Sequence, residues 1–98
     1  MSTLRRLPWD GPEGKPAYVP EGGHGEITRL ADATEAKILT MARVDVQRAR
    51  SLAEDDSVSP AELRLAVWYL ASAVEEAARV ADLRGERLPG LDSEGAIR

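Results

Sequence analysis

Cysteine is absent from this 98-residue chain, which excludes disulfides, thiolate metal sites and a cysteine nucleophile. Phenylalanine is absent as well, and alanine and valine are prominent among the apolar residues, so we expect a thin and closely packed core. Long apolar runs are also missing. The longest nearly apolar stretch, 66–74, is far shorter than the roughly 20 residues that span a bilayer. No apolar signal-peptide segment follows Arg5 and Arg6. We therefore expect a cytoplasmic protein with no membrane association.

Positive charge is in deficit, because the net charge is −4 and the isoelectric point is near 5.0. A general nucleic-acid-binding protein usually carries a basic face, so nucleic acid is an unexpected partner. The apolar fraction of 43% and the charged fraction of 31% fit a folded chain rather than a disordered one. At this length it forms one domain at most.

Helix breakers dominate residues 1–25, where prolines recur every fourth residue from Pro8 to Pro20. This density excludes a regular helix and predicts an irregular N-terminal arm. A spacing of four does not place the prolines on one ridge of a polyproline helix, which repeats every three residues. The segment GPEGK, 11–15, does not match a phosphate loop. That motif needs a glycine five positions before Gly14 and a serine or threonine after Lys15, and this chain has Trp9 and Pro16 at those positions. We expect Trp9 and Tyr18 to anchor the arm, on the protein's own helices or on a partner.

Two helices are predicted after the arm, over 26–54 and 60–84, with a flexible tail over 85–98. The second start is well specified: Ser59 is placed as the N-cap and Glu62 completes a capping box around Pro60. The short acidic link favours an antiparallel two-helix hairpin. The predicted class is therefore all-α.

The second helix has two apolar faces. We assign the main face to the hairpin interface, and it holds Leu63, Ala66, Val67, Leu70, Val74, Ala77, Ala78 and Ala81. The second strip must be covered by the arm, by a second copy or by another protein, because a hairpin alone makes a poor core. We favour a homodimer that forms a four-helix bundle, with the arm also packed on the helices. The interaction candidates are Trp9, Tyr18, Leu65, Trp68, Tyr69, Val80 and Leu83.

One carboxylate, Asp45, falls inside the apolar arc of the first helix. It must be paired, hydrogen-bonded or open to water, and Arg48 is its nearest candidate partner, with Trp68 or Tyr69 as possible donors. The favoured interpretation is a polar contact that fixes helix register or dimer pairing. The alternative is a general acid or base in a cleft, but no nucleophile or second histidine supports it.

Two further polar features suggest functions that we consider weaker. Arg29, Arg43 and Arg50 form a strip on the first helix, which would suit an accessory role on nucleic acid, although acidic residues interrupt it. His24, the one histidine, lies among glycines and two carboxylates, which is weak evidence for a metal site. We expect neither a metal nor a cofactor.

The segments LPWDGPEGKPAYV, RLADATEA, SPAELR and AARVADLRGERL resemble a group of small uncharacterised helical proteins of actinobacteria. This resemblance implies a source and no activity. The leading functional expectation is a non-enzymatic protein–protein interaction or regulatory module. The alternatives are a nucleic-acid-associated accessory protein that uses the arginine strip and a small acid–base enzyme centred on Asp45.

Overall fold

The computed structural model describes residues 4–22 and 25–88. Its elements are strand β1 (Leu4–Asp10), a 3₁₀ turn (Pro12–Gly14), strand β2 (Pro16–Pro20), helix α1 (Glu26–Ala53) and helix α2 (Pro60–Glu86). The two helices form the predicted antiparallel hairpin. The part of the predicted tail that follows residue 88 lies outside the described residues.

The N-terminal segment is a β-hairpin, so the prediction of an irregular arm was wrong. β1 pairs with β2 antiparallel, with Arg5 opposite Val19 and Arg6 opposite Tyr18. The turn between them is closed by two backbone hydrogen bonds: the Gly11 N–H donates to the Lys15 carbonyl at 2.6 Å, and the Lys15 N–H donates to the Pro12 carbonyl at 3.1 Å. The fold is therefore mostly helical with a small two-stranded sheet, rather than purely α-helical.

The prolines fit this sheet because each occupies a place that a strand tolerates. Pro8 lies in the stretch where the register of β1 is irregular, between Arg6 and Asp10. Pro16 and Pro20 are the first and last residues of β2, and Pro12 begins the turn. A proline at a strand end or a bulge removes no essential ladder hydrogen bond. The prolines, spaced by four residues, thus do not form a polyproline ridge but fall at the irregular stretch of β1, at the turn and at the two ends of β2.

Both helices begin where the sequence predicted. The Ser59 side chain accepts a hydrogen bond from the Glu62 backbone N–H at 3.1 Å, and the Glu62 carboxylate accepts one from the Ser59 N–H at 2.9 Å. This is the predicted capping box. α1 ends one residue earlier than predicted and α2 two residues later. α2 continues through Gly85, since this glycine keeps a helical conformation instead of ending the helix.

The core is small and lies where β1 packs on the free ends of the helices. Its buried apolar side chains come from β1, α1 and α2, and they are Leu7, Ala31, Ala73, Val80 and Leu83. Alternation along β1 turns Arg5 and Leu7 inward. The segment 39–70, which includes the linker, holds no fully buried side chain.

Neither apolar face of α2 is used along its whole length as assigned, since Leu65 and Tyr69 of the second strip are exposed and Leu70 of the main face is half-buried. Val80 and Leu83, placed in the second strip, are buried. Val67 and Val74, placed at the hairpin interface, are 67% and 59% exposed. The inward position is occupied by Ala73, because a small side chain allows α1 to approach closely. The stripe that holds Leu70, Val74 and Ala77 therefore borders an open groove shared with α1 instead of being buried against it.

Candidate interaction surface

A buried ion-pair cluster fixes the sheet to the helices. The Glu35 side chain on α1 is 1% exposed, and its carboxylate accepts hydrogen bonds from three guanidinium groups. Arg5 of β1 donates at 3.3 Å, Arg84 at 3.1 Å, and Arg87 at 3.0 and 3.1 Å. Asp32 adds a second carboxylate 2.8 Å from Arg5. Strand β1, helix α1 and the C-terminal end of helix α2 therefore meet at the Glu35 side chain.

The electrostatics of this cluster are those of a structural clamp. Burial by itself raises the pKa of Glu35, but the hydrogen bonds from Arg87 and Arg84, the charge of Arg87 and the hydrogen bond from Arg5 outweigh it. The pKa of Glu35 is therefore held below its ordinary value. A carboxylate that is ionised and saturated with donors is poorly suited to proton transfer at neutral pH.

Sequence reasoning overlooked Glu35, although a signal was present. Glu35 follows Ala31 by four residues and precedes Ile38 by three, so it lies in the inward stripe of α1. Like Asp45, Glu35 is a carboxylate within the apolar arc of α1, so it needs a partner or access to water. What the sequence did not show is that arginines from β1 and from the end of α2 would converge on this position.

Away from the sheet, the hairpin has an aromatic groove on one side. α1 contributes Ile38, Met41 and Asp45 to the walls of this groove, and α2 contributes Trp68, Tyr69 and Glu76. Between the walls lie the small residues Ala42 and Ala73. The Trp68 and Tyr69 rings pack edge to face, 5.5 Å apart. Trp68 is 63% exposed and Tyr69 45%. Two large aromatic side chains thus contact each other and remain open to solvent.

Asp45 lies in this groove, half-buried, beside the two aromatic rings. The predicted pairing with Arg48 is not formed, because Arg48 points toward a neighbouring hollow lined by Leu52, Glu62 and Tyr69. Among residues 4–22 and 25–88, no hydrogen bond or ion pair reaches the Asp45 carboxylate. It is therefore available to a binding partner rather than fixing the register between the helices.

The other interaction candidates are divided between the core and the surface. Leu65 is exposed next to the aromatic groove, in the same hollow as Arg48. Tyr18 is exposed on β2 and Trp9 is half-buried on β1. Val80 and Leu83 are enclosed in the core and take no part in the surface.

The three arginines of the predicted nucleic-acid strip are exposed along α1. Arg43 and Gln47 border a second groove, on the side of the hairpin opposite the aromatic groove. Arg29 takes part in an interaction of its own. Nothing in their placement adds a base-reading element, and the nucleic-acid role stays a prediction.

The described residues contain neither a candidate metal site nor a membrane-spanning helix. No group of three or more histidine, aspartate or glutamate side chains there could hold a metal ion. His24 lies outside the described residues. Neither α1 nor α2 offers an apolar stretch of the length needed to cross a bilayer.

Comparison with protein-family models, with curated proteins and with solved structures finds no match to this chain.

Proposed function

We propose that this protein is a non-enzymatic protein–protein interaction module that binds a partner in its aromatic groove. The observation that carries the proposal is the exposed Trp68–Tyr69 pair on α2, which lines the groove together with Met41. Exposed tryptophan and tyrosine side chains supply much of the binding energy at protein interfaces. A contiguous apolar patch of this kind on a small domain typically marks an interaction site.

The chemistry of the groove favours a segment that combines apolar and basic side chains. Asp45 and Glu76 place two carboxylates at its edges, and the rings of Trp68 and Tyr69 lie between them. An arginine or lysine could pair with a carboxylate while it stacks on a ring. The net charge of −4 would also attract a basic partner.

A peptide library displayed against the purified protein tests this proposal. We expect enrichment of peptides in which arginine or lysine neighbours an aliphatic or aromatic residue. Trp9→Phe leaves Trp68 as the only tryptophan, so a blue shift of its emission on binding would report contact with the groove.

Variants then locate the binding site. Trp68→Ala should weaken an enriched peptide at least about tenfold, as for an interface hot spot. The double substitution Asp45→Asn with Glu76→Gln should weaken it and reduce the salt dependence of binding. Val74→Ala, on the opposite side of α2, is the matched control and should leave the affinity unchanged. Absence of enrichment, or binding that is insensitive to Trp68→Ala, would overturn the proposal.

A further inference from the structure

The β-hairpin and the aromatic groove occupy the same side of α2. Ser72 lines the aromatic groove, and Arg79 and Glu86 follow it at intervals of seven residues, which is about two helical turns. Arg79 donates a hydrogen bond to Asp10 of β1 at 2.9 Å, and Glu86 accepts one from Arg6 at 2.9 Å. β1 therefore covers the C-terminal half of this side of α2, and the aromatic groove continues the same side toward the linker.

β1 shows which kind of segment this side of the hairpin accepts. Its two inward side chains, Arg5 and Leu7, are two residues apart and are both 5% exposed. Arg5 reaches two carboxylates of α1, Glu35 at 3.3 Å and Asp32 at 2.8 Å. Leu7 belongs to the apolar core that β1 forms with both helices. The bound segment is thus a strand with an arginine for the carboxylates of α1 and an aliphatic side chain for the apolar residues.

The aromatic groove presents the same two features. Asp45 supplies a carboxylate from α1, and among residues 4–22 and 25–88 no side chain pairs with it. Met41 is 49% exposed and supplies an apolar surface together with Ile38. Asp45 and Met41 are about 6 Å apart along the axis of α1, at 1.5 Å per residue. Alternate residues of a strand are about 6.6 Å apart, so the two spacings match.

We propose that the aromatic groove binds an extended peptide segment whose arginine and aliphatic residue are two positions apart, which depends on the function proposed above. The guanidinium pairs with Asp45 and stacks on the exposed Trp68 ring, a combination that its planar shape allows and a lysine ammonium does not. The aliphatic side chain packs on Met41. A helix would span the same distance with residues four apart, but the segment that covers the other half of this side of α2 is a strand.

The outer edge of this side of α2 is acidic along its length. Glu75, Asp82 and Glu86 lie in nearly the same line of the helix as Trp68, at intervals of seven, seven and four residues. At the covered end, Glu86 pairs with Arg6, the residue between the two inward side chains of β1. At the groove end, Glu75 offers the same charge to the partner. A basic residue between the arginine and the aliphatic residue should therefore strengthen binding.

Two synthetic peptides of identical composition test the conformation. Each carries one arginine and one leucine in a background of alanine and serine, two positions apart in the first peptide and three in the second. A spacing of two places both side chains on one face of a strand and on opposite faces of a helix, and a spacing of three does the reverse. Emission of Trp68 in the Trp9→Phe variant reports binding. We expect the first peptide to bind at least about tenfold more tightly.

The outcomes separate this geometry from the function that it depends on. Equal affinities, tighter binding of the second peptide or no binding by either would overturn the extended geometry. Enrichment of library peptides that lack the spacing of two would overturn it as well. That last result would leave the proposed function standing, because the function requires only that a partner contacts the groove.

Charge reversal tests where the arginine binds. Asp45→Arg should weaken the first peptide at least about tenfold, and a peptide with aspartate in place of the arginine should bind this variant better than it binds the wild type. The matched control is Asp56→Arg, which makes the same change at an exposed carboxylate of the linker and should alter neither affinity. Unchanged helical circular dichroism confirms that both variants remain folded. An aspartate peptide that gains nothing from Asp45→Arg would refute the assigned contact.

Discussion

Replacing Glu35 by glutamine tests the clamp that joins the sheet to the helices. Glu35→Gln keeps the size of the side chain but removes the charge that three guanidinium groups share. Loss of one partner from a buried ion pair usually costs about 3–5 kcal/mol. The cost should be lower here, about 2–4 kcal/mol, because Arg84 is half-exposed and can turn to water. Arg5 also keeps Asp32 as a partner at 2.8 Å.

Urea unfolding followed by far-UV circular dichroism measures this loss. With an m-value of about 1 kcal/mol/M for a small domain, the midpoint should fall by about 2 M or more. All variants must be compared at one protein concentration, since dimerisation would make stability depend on it. Asp32→Asn is the matched control: its carboxylate is 64% exposed, so the loss should stay below about 1 kcal/mol. A loss from Glu35→Gln no larger than that of Asp32→Asn would refute the reasoning.

Acid should erase the difference between Glu35→Gln and the wild type. The folded-state pKa of Glu35 lies below its ordinary value of 4.5, so its stabilisation is complete above that pH. It is lost as the pH falls through the folded-state pKa, when the carboxylate binds a proton. The pKa of Asp55 is also lowered by its hydrogen bonds from Ser57, but both proteins share this group and its effect cancels. A difference in unfolding free energy that stays constant down to about pH 3 would contradict this account.

Three further substitutions should separate core, cap and surface in the same urea assay. Leu83→Ala removes a core side chain that is 1% exposed and should lower the free energy of unfolding by about 2–5 kcal/mol. A loss below about 1 kcal/mol would show that Leu83 does not belong to the core. Ser59→Ala removes the cap of α2 and should cost about 1 kcal/mol. Ser57→Ala, which removes an exposed hydrogen bond to Asp55 and no helix cap, should cost less, and an equal loss would contradict the capping role of Ser59. Trp68→Ala should change stability by no more than about 0.5 kcal/mol, because the ring is exposed; a large loss would show that it supports the fold.

The helices were predictable because their signals are local. The capping box at Ser59 and Glu62 needs only four consecutive residues, and the apolar period of each helix is visible within the helix itself. The sheet was missed for the opposite reason. Prolines remove hydrogen-bond donors, and only the pairing partner shows which donors a strand can spare. Pro16 and Pro20 became strand ends once β1 lay beside them.

The candidate surface was only partly predictable. Leu65, Trp68 and Tyr69, which were selected from the sequence as interaction candidates, are exposed, and their role in binding stays a prediction. Val80 and Leu83 had the same apolar character but became core, because β1 covers that end of the hairpin and not the other. A single helix cannot show how far along its length a neighbouring layer will extend.

The amino-acid sequence by itself determined the two helices, their capped start at Ser59 and the surplus of apolar faces on α2. It did so because propensity, capping and periodicity depend on residues within a few positions of one another. The tertiary structure decided which face is inward, and it placed Ala73 there and left Val67 and Val74 outside. It also brought Arg5 and Glu35, thirty residues apart, into one buried ion pair. Those choices depend on how closely two surfaces can approach, which no single segment specifies.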